Sequence, residues 1–157
     1  MADLCKFRAR VESATHASSS MHTKFLLLGA ISAFIGVAAG AFGAHGLEAR
    51  LSADLLAVYE TGVRYELFHA VALLFVGLAA DRWPPAPWAR AGWMFVAGTV
   101  LFSGSLYALA LTGQRWLGAV TPLGGVCFLV GWIFVAMATL RSVSQQPDWT
   151  SSGPNKI

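Results

Sequence analysis

Glu60, Arg64, Glu66 and His69 fall within one short stretch of the chain, with Tyr65 among them. On a helix Glu60 and Arg64 stand at i and i+4, the better orientation for an ion pair, while Glu66 and His69 stand at i and i+3. Tyr65 and His69 also share a face. A carboxyl group beside an imidazole, which titrates near neutral pH, is the equipment of a proton or cation relay. The same groups can instead close a fixed set of hydrogen bonds that ties their helix to its neighbours. His45 adds a second histidine upstream, and two histidines on adjacent helices can ligate haem. Depth matching along the helices separates them by about 13 Å, whereas each metal–nitrogen bond spans about 2 Å, so no haem and no other cofactor is expected. His45 is read as the end of its helix, donating towards Glu60 or a carbonyl, with Gly46 supplying the permissive backbone of a turn. His16 and His22 fall in a leader and add nothing specific.

The elements that must position these groups are apolar runs at 25–44, 67–80, 91–111 and 117–140. About twenty such residues rise about 30 Å as a helix, the hydrocarbon thickness of a bilayer. The second run, about 14 residues, is too short to cross alone. To span, it must begin near Thr61 and carry Arg64, Tyr65, Glu66 and His69 to membrane depth; a short re-entrant helix is the alternative. The expected spans are 25–44, 61–81, 91–111 and 117–140. Ser52 and Asp54 are helix-capping residues ahead of Leu55, Leu56, Tyr59 and Val63, a stripe at helical spacing. It reads as a short amphipathic helix merging with the second span, or as an extension of that span. The fold class is therefore all-α: an integral-membrane four-helix bundle with a short amphipathic helix after the first span.

Packing signals accompany the spans. Gly36, Gly40 and Ala44 lie on one face of the first helix, and Gly104 and Ala108, followed by Thr112, on one face of the third. Small residues of this kind let membrane helices approach closely. Matching antiparallel helices by depth brings His69 level with Gly36 and Ser103, Glu66 with Ser105, and Arg64 with Tyr107. The expected intramembrane polar cluster is His45, Glu60, Arg64, Tyr65, Glu66, His69, Ser103, Ser105 and Tyr107. Charges at this depth cost about 2.5–3.5 kcal/mol each on insertion scales, so these groups should face one another rather than lipid.

Composition excludes several other classes. Only 12% of the 157 residues are charged, against about 25% in soluble domains. The basic residues form no stripe interleaved with aromatics, so no nucleic-acid partner is expected. Cys5 and Cys127, one in a polar leader and one inside an apolar helix, belong to no CxxC. With no HExxH, no acidic metal box and no glycine-rich phosphate loop, neither a catalytic residue nor a metal ligand is expected, and the chain is read as a non-enzyme. Residues 1–21 read as a leader, disordered or not translated because Met21 is the start, or else as a transit peptide. Residues 22–141 form the membrane domain and 142–157 a disordered tail. Lys6, Arg8, Arg10, Lys24, Arg82, Arg90, Arg141 and Lys156 gather on the side of the termini, which the positive-inside bias makes the inner side. Trp83, Trp88 and Trp116 suit the two interfaces, and the prolines between Trp83 and Trp88 suit a tight inner connection.

Four ordered motifs carry a resemblance: Gly40-Ala41-Phe42-Gly43-Ala44-His45-Gly46-Leu47, then Tyr59-Glu60-Thr61-Gly62-Val63-Arg64-Tyr65-Glu66-Leu67-Phe68-His69-Ala70, then Phe102-Ser103-Gly104-Ser105-Leu106-Tyr107, and Thr121-Pro122-Leu123-Gly124-Gly125. Over about residues 22–140 the chain resembles the uncharacterised family of small four-helix membrane proteins, domain of unknown function 423, which is YgdD/YwdK-like in bacteria and transmembrane protein 256-like in eukaryotes. The resemblance implies a multi-pass protein of the bacterial inner membrane, or of an organelle membrane in a eukaryote. It implies no established chemistry and no catalytic residues.

The functional expectation is a non-enzymatic scaffold or assembly component with a structural polar cluster. The alternative is a small oligomeric ion- or proton-coupled transporter or channel using Glu66 and His69. The expected partners are the lipid bilayer and either further copies of the chain or another membrane protein.

Overall fold

In the computed structural model, which describes residues 2–83 and 85–144, the chain forms helices α1 (Ala2–Phe42), α2 (Ala53–Arg82), α3 (Pro85–Gly98), α4 (Gly104–Thr112) and α5 (Thr121–Ser144). A π-turn, Gly43–Leu47, prolongs α1, and a second, Thr99–Ser103, joins α3 to α4. The elements make four segments long and apolar enough to cross a membrane, Met21–Leu47, Ala53–Arg82, Ala86–Thr112 and Arg115–Ser142. Each expected span lies inside one of them. The second is one continuous helix long enough for a full crossing rather than a short re-entrant piece, because Ser52 starts it early: its hydroxyl accepts from the Leu55 amide at 3.4 Å, an N-cap bond. The amphipathic stretch that follows Ser52 merges with α2 without a break.

At the other end of α2 the connection to α3 is short, and Pro85 and Pro87 lie in the first helical turn of α3, where no amide hydrogen is needed. Gly113, the only positive-φ residue among those described (φ 71°), closes α4 and donates its amide to the Leu109 carbonyl. Ahead of the first span the backbone is helical from Ala2 onward and continuous with it, and neither Gly nor Pro occurs before Gly29 to interrupt it. Of the expected tail, 142–144 belong to α5, and the remainder lies outside the described residues.

α1 packs along α2, α2 along the third span, and α5 along the third span, while α1 and α5 share no substantial face. Glycines set these contacts. A Cβ at Gly36 would come 2.8 Å from Leu67, one at Gly29 2.9 Å from Leu74, and one at Gly43 3.0 Å from Tyr59. The α1–α2 register is therefore shifted by two residues from the expected one, since Gly36 meets Leu67 rather than His69. Ala44 is exposed, and Gly43 takes its place on the buried face. The third-span stripe is corrected too. Gly104 has no neighbour within contact of a Cβ and is exposed, and Ala108 is half-buried. The π-turn moves the buried face on by a residue, from Gly98 to Ser103, Leu106 and Ala110, which leaves Gly104 pointing outward. Close approach to α5 comes instead at Gly98, Gly124 and Gly131, which receive Phe128, Phe102 and Phe95.

The apolar core is divided. One cluster gathers Phe25, Leu73, Val76, Trp88, Phe95 and Phe128, and a smaller one gathers Leu47, Tyr59, Val63 and Ala110. Along α2, Glu66 and His69 fall between the two. Trp88 is 2% exposed and belongs to the core rather than to an interface, whereas Trp83 and Trp116 are exposed.

Candidate functional site

Glu66 and His69 are both buried, yet they open onto different neighbours. Glu66 faces α1 and α4. Its Oε2 accepts from the Tyr107 hydroxyl at 2.7 Å, and its Oε1 accepts from the Ser32 hydroxyl at the longer distance of 3.4 Å. Tyr107 is held in turn against Gly62, where a Cβ would lie 2.9 Å from its ring, and beside Tyr59 at 4.9 Å between centroids. Tyr59 donates to the Ala39 carbonyl at 3.1 Å, which fastens α2 to α1 once more.

His69 faces α3 and α5. Its Nδ1 lies 2.8 Å from the Tyr65 carbonyl, and the Trp132 indole nitrogen lies 3.2 Å from its Nε2. An indole N–H only donates, so Nε2 accepts and the ring hydrogen sits on Nδ1, directed at the carbonyl. The imidazole lies on the Phe128 ring at 3.5 Å and 10°, and contacts Phe95 at 5.4 Å. Tyr65 is partly exposed; its ring covers Phe102 at 4.4 Å and stacks loosely over His69 and Phe128.

Among the other expected members, Ser105 and Ser103 are buried. The Ser105 hydroxyl lies 2.9 Å from the Phe102 carbonyl and 2.8 Å from the Thr121 hydroxyl, which pins the start of α5 to α4. Ser103 Oγ has no hydrogen-bond partner among the described residues. His45, Glu60 and Arg64 lie on exposed surface, apart from the buried groups. The expected role of Gly46 also changes. The helix runs on through it as a π-turn, and its missing side chain makes room for the Phe42 ring, which would lie 2.7 Å from a Cβ. His22, expected to be idle, places Nδ1 2.9 Å from the Gly77 carbonyl and clamps α1 to the far end of α2.

Ser32, Trp132, Phe128 and Thr121 complete the polar and aromatic contacts and were not singled out from sequence. Ser32 stands four residues before Gly36 and so continues its small-residue face. Trp132 sits in the middle of the last span, where an indole N–H must find an acceptor within the protein. Both signals were available.

Tyr59, Gly62, Tyr65, Glu66, His69, Phe102, Ser103, Ser105, Tyr107 and Thr121 of this arrangement belong to the four sequence motifs, whereas Ser32, Phe95, Phe128 and Trp132 lie outside them. The family model described as protein of unknown function (DUF423) matches residues 39–125. The chain belongs to this family. The UPF0382 membrane protein YwdK of Bacillus subtilis is 48% identical over 118 residues, covering 74% of this chain and 96% of that protein. The UPF0382 membrane proteins SERP0230 of Staphylococcus epidermidis (47% identical, 74% of this chain and 95% of its own length) and SSP2132 of Staphylococcus saprophyticus (46%, 74% and 97%) are similarly close. No solved structure matches the chain significantly. Family membership and the four long apolar helices together make this a multi-pass membrane protein.

Proposed function

We propose that this protein is a non-enzymatic structural component of the bacterial inner membrane, a scaffold or assembly subunit, with both termini on the cytoplasmic side. The observation that carries the reading is that the two central ionisable groups are bonded to separate partners. Glu66 is tied to Ser32 and Tyr107, and His69 to the Tyr65 carbonyl and Trp132, with no shared partner between the two sets. A relay passing directly through side chains needs a group that both reach. Protonating His69 would also set an imidazolium N–H against the indole N–H of Trp132, two donors face to face. The basic flanks support the orientation through the positive-inside bias, and an even number of spans places both ends on one side. The partner is either another copy of this chain or a different membrane protein.

The test compares wild type, Glu66→Gln and His69→Ala in proteoliposomes. Expected are no proton, sodium or potassium flux above empty vesicles in any of the three, and reduced membrane abundance for His69→Ala. A wild-type flux that Glu66→Gln abolishes at equal abundance would establish the transporter instead.

A further inference from the structure

A cavity of about 210 Å³ lies between α1, α2 and the third span, with Glu66, Ser32 and Thr99 as its polar lining. Its walls include Leu28, Leu73 and Val96, and its rim is formed by Ile31, Ile35 and Val100, which are 46%, 48% and 66% exposed on the outer surface of the bundle. The mouth therefore faces hydrocarbon once the helices are in a bilayer. At about 30 Å³ per water, the space equals roughly seven waters, enough for a head group and a few methylenes.

The polar lining has a single character. The Thr99 hydroxyl spends its hydrogen on the Phe95 carbonyl at 3.0 Å, and the Ser32 hydroxyl spends its own on Glu66. Glu66 Oε2 is occupied by the short Tyr107 bond, whereas Oε1 holds only the long one from Ser32. Each of the three lining groups thus has lone pairs to offer, and each hydroxyl hydrogen is already used. Neither Glu66 oxygen is bonded to a cation among the described residues, and the lining contains no basic side chain. An acceptor-only pocket under an aliphatic shaft selects a ligand whose head donates only and whose body is apolar.

We infer that this cavity is a binding site for an aliphatic primary ammonium, entering from the membrane, with its N–H groups on Glu66 Oε1, Ser32 Oγ and Thr99 Oγ1. A carboxylate or carbonyl head would meet only acceptors. A quaternary ammonium has no N–H to donate, and the walls carry no aromatic ring to receive it by cation–π contact. The site goes beyond the scaffold reading and stands whether or not the protein moves ions.

The experiment measures equilibrium binding of radiolabelled decylammonium to the full chain in lipid nanodiscs, with empty nanodiscs subtracted. Expected is a saturable component of one per chain, displaced by unlabelled decylammonium but at least tenfold less well by decanol, decanoate or decyltrimethylammonium. Glu66→Gln should weaken it at least tenfold. Val100→Trp, placed on the exposed rim so that the fold is spared, should block entry to a similar extent. Thr99→Val should cost about threefold, the loss of one hydrogen bond in a membrane interior. Equal binding to Glu66→Gln or to Val100→Trp, equal displacement by decanoate, or no saturable component would overturn the proposal.

Discussion

Glu66 and His69 lie three residues apart on one helix, and they are held by opposite means. Glu66 is held by oxygen: two hydroxyls from α1 and α4 bond its carboxyl group, and glycines at 36 and 62 bring those helices near. His69 is held by rings: Phe128 covers one face, Phe95 and Trp132 lie around it, and a single indole N–H supplies the cross-helix bond. The difference shows that an i, i+3 pair on a membrane helix need not act as a pair. About 60° separates the two positions around the helix axis, and here that rotation delivers them to different neighbours.

The comparison can be broken most forcefully on the aromatic side. Phe128→Ala removes the ring stacked on His69 and empties the notch at Gly98, and should cost about 3–5 kcal/mol of stability in detergent. Trp132 fluorescence should shift while Tyr107 stays bonded to Glu66. On the oxygen side, Gly36→Val pushes Leu67 away and separates α1 from α2, an overpacking cost of about 1–3 kcal/mol. Cysteine crosslinking between α1 and α2 should fall in that variant, with crosslinking between α3 and α5 unchanged. Tyr107→Phe deletes the 2.7 Å bond to the carboxyl group and should cost about 1–2 kcal/mol, near the upper end for cross-helix bonds in membranes. Trp132→Phe keeps a six-membered aromatic ring at a half-exposed position and removes the indole N–H with its longer, neutral bond, so about 0.6 kcal/mol is expected. Reversible unfolding in mixed micelles reads all four, and a Trp132→Phe loss larger than that of Tyr107→Phe would invert the contrast between the two sides.

Much of the architecture was legible in the sequence because hydrocarbon leaves few alternatives. Apolar length fixed the crossings, and the short second run forced Glu66 and His69 into the bundle. The pairing of side chains was less legible for two physical reasons. Depth matching treats residues as points along an axis, whereas a tyrosine reaches well beyond its Cα, so Tyr107 arrived at Glu66 rather than at Arg64. The π-turn at Thr99–Ser103 then rotated the second half of the third span and turned Gly104 outward, an effect that regular helical spacing cannot anticipate. At the other end, His45, Glu60 and Arg64 were grouped with the cluster by depth matching and by their place in the motifs, but their side chains lie on exposed surface, apart from the buried groups.

The independence of the two hydrogen-bonded sets is tested most directly by a double-mutant cycle joining Tyr107→Phe and Trp132→Phe, with unfolding free energy measured for the wild type, both single variants and the double variant. The two sets share no partner, so the losses should add to within about 0.5 kcal/mol. A coupling above about 1 kcal/mol would show that the carboxyl group and the imidazole work as one unit, and would return the relay to the front.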